Sequence, residues 1–116
     1  MKEAVQWAEE TLAKVREKME WVSEKNKDKI PYTTDEKGSY DDRADSSRCW
    51  NEDDGLNWWT NGFWGGIMWL LYQDTKDEKY AGIAKKAEKK MAESLTGYYG
   101  LHHDVGFMFQ PTAVTN

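Results

Sequence analysis

Apolar residues recur along the start of the chain at spacings of three and four: Val5, Ala8, Leu12, Val15, Met19 and Val22. The spacing predicts a helix over residues 2–25 with one apolar stripe and charged residues on its other faces. Trp7 and Trp21, fourteen residues apart, share a flank of that stripe. The stripe fits packing on a neighbouring helix better than a coiled coil, because it covers fewer than three heptads. Residues 60–75, TNGFWGGIMWLLYQDT, predict a second helix that Thr60 or Asn61 can cap. From Phe63 onward this helix is apolar almost all round, so burial on every side is expected. Gly62, Gly65 and Gly66 cost about 1 kcal/mol each relative to Ala in a helix, which implies that another helix or a ligand approaches the backbone closely there. Residues 77–96 predict a third helix. Its apolar face is Tyr80, Ile83, Ala84, Ala87, Met91 and Leu95, its outer face is lysine-rich, and Gly97 ends it.

Between the first two helices the pattern is lost. Residues 26–58 carry Pro31, Gly38, Asp41-Asp42, Ser46-Ser47 and Asp53-Asp54-Gly55, all turn-forming. A loop this long inside a domain is often functional. The final stretch, from Tyr98, reads as a loop, with Pro111 suited to the first turn of a fourth helix. The alternation of outer, buried and outer helices gives an all-α architecture of helical hairpins around a common interior. With so few helices, the buried one has little to pack against. The chain is therefore expected to be part of something larger or to self-associate.

Charge changes the picture in one place. The net charge is −5, and all of it arises in residues 30–60, with eight acids against three bases. Those acids are most simply a solvated surface, and they lack the spacing of a calcium loop. No basic patch is present, so nucleic acid is not an expected partner. The apolar run from Phe63 to Tyr72 is too short to span a bilayer. Nothing resembles a signal peptide, so a cytoplasmic protein without membrane contact is the expectation. Cys49 is the single cysteine, which precludes an intrachain disulfide. Seven tryptophans in 116 residues are many. Each is more simply a core residue than a platform for a sugar or a partner surface.

The chemistry concentrates in YYGLHHDVGFMF, residues 98–109, which holds both histidines of the chain. Adjacent His102 and His103 in an extended loop would point in opposite directions. A closed zinc site would have to recruit acids, so no metal or other cofactor is expected. Cys49 paired with a histidine is a weak candidate nucleophile. Serine elbows and phosphate-binding glycine loops are missing. What remains is a carboxylate beside an imidazole among aromatics. Asp104 could orient a sugar hydroxyl or stabilise developing positive charge, and His103 could donate a hydrogen bond. Composition alone favours the simpler reading, in which Asp104 caps the next segment and a histidine bonds to backbone.

The order of motifs adds a second line. Trp59-Thr60-Asn61-Gly62-Phe63-Trp64, then Trp69 to Tyr72, Thr75-Lys76-Asp77 and His103-Asp104-Val105-Gly106-Phe107 follow one another in the chain. This series resembles the unsaturated glucuronyl hydrolases, glycoside hydrolase family 88, over about residues 57–116. The resemblance implies an α/α barrel of six helical hairpins, of which residues 1–116 would be an N-terminal fragment. It implies a glycosidase acting on an unsaturated uronic acid at the non-reducing end of lyase-generated oligosaccharides, of glycosaminoglycan rather than pectin origin. An aspartic acid protonates the vinyl ether, water adds at the adjacent carbon, and the hydrated sugar rearranges and leaves, unlike the two-carboxylate displacement of ordinary glycosidases. Asp104 matches the aspartate that contacts the ring and supports the transition state, His103 the histidine beside it, and Trp59 a tryptophan of the sugar subsite. The general acid of the family matches no position here, and Asp53 or Asp54 could replace it only by rearrangement. The fragment is thus expected to be inactive alone. Two further readings stand beside this one: an unsaturated rhamnogalacturonyl hydrolase, with the same barrel and reaction, and a non-catalytic helical module that assembles through apolar faces or binds sugar through tryptophans.

Overall fold

The computed structural model describes residues 1–45, 55–97 and 101–114. Its regular elements are all helical. They are α1 (Lys2–Asn26), α2 (Asn61–Thr75), α3 (Glu78–Gly97), the short α4 (Val105–Phe109), and a π-helical turn, Gln110–Val114, that continues α4. The described residues contain no strand, only an isolated bridge between Thr34 and Tyr40. No helix among them is long and apolar enough to cross a membrane.

The centre of the fold is a hairpin of α2 and α3. Lys76 reverses the chain in the left-handed conformation, φ 60°, and its N–H donates to the Tyr72 carbonyl at 2.8 Å. So short a turn sends α3 back along α2. Trp64, Met68, Trp69 and Leu71 pack against Tyr80, Ile83, Ala84, Ala87 and Met91. The Trp69 indole N–H donates to Glu88 Oε1 at 2.6 Å, which satisfies the polar edge of a buried ring. The expected face of α3 departs only at its end. Ser94 is buried and Leu95 exposed, because position 94 continues the row of threes from Met91. The Ser94 hydroxyl donates to the Met91 carbonyl at 2.7 Å.

Two sequence expectations about packing need correction. The first concerns α2, which is not buried on every side. Phe63, Ile67 and Leu70 are 39%, 43% and 66% exposed, and their spacing of four and three puts them on one face. The second concerns α1, which packs only near its C-terminus, through Val22, Ser23, Asn26 and partly Met19. Val5, Leu12 and Val15 of its stripe face solvent. Ion pairs add to that packing: they hold the middle of α1, its last turns and the residues just after it to the hairpin. Arg16 grips Asp74 through two hydrogen bonds of 2.5 Å, Glu20 meets Lys79, and Asp28 meets Lys86 at 2.8 Å.

The acids after α1 are not simply a solvated surface either. Asp35 accepts the N–H groups of Lys37 and Ser39 at 2.9 and 2.8 Å. Asp41 accepts those of Tyr32 and Thr33 at 3.1 and 2.8 Å, and Asp42 those of Ile30 and Ala44 at 2.9 and 3.0 Å. In a segment without regular structure these carboxylates take the place of carbonyl partners. Asn26 ties the segment to α1: its amide donates to the Val22 carbonyl at 2.8 Å and its oxygen accepts the Tyr40 N–H at 3.0 Å. Gly38, at φ 72°, makes the turn beneath the ring of Trp21. Cys49, Asp53 and Asp54 lie outside the described residues.

Candidate active site

The glycines of α2 determine where the last segment lies. A Cβ built on Gly62 would stand 2.0 Å from the Met108 carbonyl oxygen, and one on Gly65 would stand 2.6 Å from a methyl carbon of Thr112. Gly66 meets Pro111 in the same way, at 3.0 Å. The close approach that three costly glycines imply is therefore made by residues 107–112 of the chain itself. This segment is a helix six residues before Pro111, where the sequence had suggested only a loop. Pro111 has no N–H for the Phe107 carbonyl, and the turn widens to a π-helix from Gln110. Thr112 is fully buried at the seam.

Neither Thr60 nor Asn61 caps α2 through its side chain. Asn61 is buried instead, and its amide donates to the carbonyls of Gly55 and Leu56, both at 3.0 Å. That clamp fixes the residues leading into Trp58 and Trp59. At the opposite wall, Asp104 occupies the N-cap position of α4, where its backbone carbonyl accepts the Phe107 N–H at 2.9 Å. Its carboxylate makes no capping hydrogen bond. The alternative role for a histidine is present: His102 Nδ1 accepts the Asp104 N–H at 3.2 Å.

Trp58, Trp59, His102, His103 and Asp104 line one open cleft of about 420 Å³. Trp59 is partly exposed and is braced edge-on by Phe63 and Phe107, each with ring centroids 5.8 Å away. The Asp104 side chain is 28% exposed and that of His103 90%. Asp104 Oδ1 lies 3.4 Å from His103 Nε2, and Oδ2 lies 3.8 Å from His102 Nδ1. The two imidazoles do not point apart as an extended strand would have them. A turn at 103–104 brings their centroids to 5.7 Å, with the rings tilted by 58°. The structure thus gathers Trp59, His103 and Asp104 at one place. It adds Trp58, which the sequence reading passed over although the Trp58-Trp59 doublet was the available signal, and it adds His102, which the sequence reading weighed only as a metal ligand or a backbone partner.

Chemically, the cleft offers an aromatic face, a partly exposed carboxylate and an imidazole free to rotate into solvent. Such a set suits a polar ring with one apolar face, a sugar above all.

Comparison with known proteins gives the same direction. The chain is 43% identical over 56 residues to the unsaturated glucuronyl hydrolase of Bacillus sp. (strain GL1). It is 40% identical over 55 residues to the unsaturated chondroitin disaccharide hydrolase of Streptococcus agalactiae, and 35% identical over 57 residues to that of Streptococcus pneumoniae. The chain is similar to unsaturated glucuronyl and chondroitin disaccharide hydrolases over about half its length. The matched segments are 47–48% of this chain and 14–15% of the relatives, so the chain spans only a small part of their length. No family profile and no solved structure matches it.

Proposed function

We propose that this chain carries the sugar-binding, charge-stabilising part of a glycoside hydrolase active site. The substrate is an unsaturated uronic acid at the non-reducing end of a lyase-generated oligosaccharide, and the reaction is hydration of its vinyl ether. The observation that supports this reading most is the carboxylate of Asp104, uncapped and facing a cleft walled by Trp59. Trp59 stacks on the apolar face of the ring. Asp104 lies against the ring and stabilises the positive charge that develops when the double bond is protonated. His103 donates a hydrogen bond to the uronate carboxylate or a ring hydroxyl. The relatives' names favour glycosaminoglycan fragments over pectin fragments.

Among the described residues that line the cleft, Asp104 is the only carboxylate. A general acid must sit within hydrogen-bond reach of the atom it protonates. The proton donor therefore comes from outside these residues, as does the cover for the exposed face of α2. The remaining hairpins of an α/α barrel supply both. By itself the chain binds the sugar and turns it over slowly or not at all.

The test is titration with an unsaturated chondroitin disaccharide, read by tryptophan fluorescence, while ultraviolet absorbance follows the conjugated double bond. Quenching that saturates in the wild-type chain and weakens in Trp59→Ala and Asp104→Asn is expected, with absorbance nearly constant. Identical titration curves for the wild type and both variants would refute the assignment of this cleft.

A further inference from the structure

The cleft's own geometry carries a second ligand class. His102, His103 and Asp104 each offer one ligand atom, and these three atoms all lie within 4.8 Å of one another. Metal–donor bonds of about 2.1 Å arranged tetrahedrally place donors about 3.4 Å apart. The carboxylate meets His103 Nε2 through Oδ1 at 3.4 Å and His102 Nδ1 through Oδ2 at 3.8 Å, so both imidazoles already face it, each through a different oxygen, and a single shared oxygen needs a small rotation of the carboxylate. The adjustment that remains falls mainly on His103, whose side chain is 90% exposed and free to swing. His102 already directs the lone pair of Nδ1 toward Asp104, since that atom accepts the Asp104 N–H. A metal ion would take that lone pair in place of the Asp104 N–H, so this hydrogen bond breaks when the ion binds.

The donor set selects the ion. Magnesium and calcium require shells of oxygen, whereas two imidazole nitrogens with one carboxylate oxygen suit zinc, cobalt, nickel or copper. Three protein ligands at an open cleft leave a fourth position for water. The ligands are consecutive in one turn, so all three come from one short segment of the chain.

We propose that His102, His103 and Asp104 form a site for a divalent transition metal ion, zinc in particular. Its occupation engages the Asp104 carboxylate and so excludes the sugar. The binding of metal is independent of the proposed activity, while the exclusion of sugar rests on it.

The experiment is titration of the untagged chain with Co2+, following the visible ligand-field bands that a four-coordinate nitrogen–oxygen site produces, then displacement by Zn2+. Saturable bands are expected, unmoved by excess Mg2+. His103→Ala and Asp104→Asn should each weaken Co2+ binding by about tenfold or more. His103 is exposed, so its loss leaves the fold intact. Cys49→Ser should leave affinity unchanged, which excludes a thiolate site. Absence of bands at metal excess, or equal affinity in His103→Ala, overturns the site. A second arm adds the unsaturated disaccharide with and without Zn2+. Loss of sugar binding that a chelator restores supports the exclusion. Sugar binding undisturbed by bound Zn2+ overturns the exclusion and leaves the metal site standing. If the sugar binds under neither condition, the sugar reading fails, and the exclusion built on it fails too.

Discussion

At the scale of single residues, the site depends on what is missing as much as on what is present. Gly62 lacks the carbon that would strike the Met108 carbonyl, and this absence lets α4 lie on α2 and carry Asp104 to the cleft. Gly62→Ala should therefore cost about 1–3 kcal/mol in urea unfolding. It should also weaken sugar binding, by moving Asp104 away from Trp59. A variant with wild-type stability would show that the two segments do not meet as described. Asn26 makes the opposite point, because one side chain does the work of several backbone partners. Asn26→Ala removes the hydrogen bonds to Val22 and Tyr40 at a buried position and should cost roughly 1–3 kcal/mol, measured in the same way.

At the scale of elements, α1 is joined to the hairpin by charge along its middle and by the packing of Val22 near its end. The hydrogen bond from Arg16 holds the Asp74 carboxyl below its usual range, and the hydrogen bond from Lys86 does the same for Asp28. A carboxylate whose folded value is depressed stabilises above its unfolded value, and that contribution is lost as pH falls through the depressed range. Acidification from pH 5 to below the ordinary carboxylate range of about 4 should thus loosen α1 before the α2–α3 hairpin opens. Hydrogen exchange resolved by segment would show faster exchange in residues 2–20 first. Added salt at neutral pH should act in the same direction, because the pairs are exposed. Simultaneous loss of all three helices would sink this ordering. Asp35 follows the same sign, its carboxyl lowered first by the Ser39 N–H, and its turn should loosen with α1.

At the scale of the whole molecule, two apolar surfaces stay exposed among the described residues: the first half of α1, and the row Phe63, Ile67 and Leu70 on α2, of which Phe63 is covered in part by Trp59. Exposed faces of this kind drive association. Sedimentation velocity should show a mass that rises with concentration. Leu70→Lys should reduce that rise without destabilising the fold, since Leu70 is 66% exposed. A monomer at all concentrations in both forms would show that these faces do not drive association of this chain.

The sequence by itself determined the three long helices, their order and the end of α3 at Gly97, because periodicity of three and four is a local property and the chain obeys it. It also offered Asp104, His103 and Trp59 as candidates through the order of short motifs, and it signalled a close backbone approach at Gly62, Gly65 and Gly66. It left open which segment approaches, because a glycine records only that a side chain is excluded. Tertiary structure alone decided that residues 107–112 fill that space, and that the stripe of α1 is half unpartnered. It also decided that Asp35, Asp41 and Asp42 serve backbone rather than solvent. The placement of both imidazoles beside Asp104 belongs to the same category. Adjacent side chains diverge in a strand and converge in a turn, and the turn at 103–104 is set by the docking of α4 on α2, more than forty residues back along the chain.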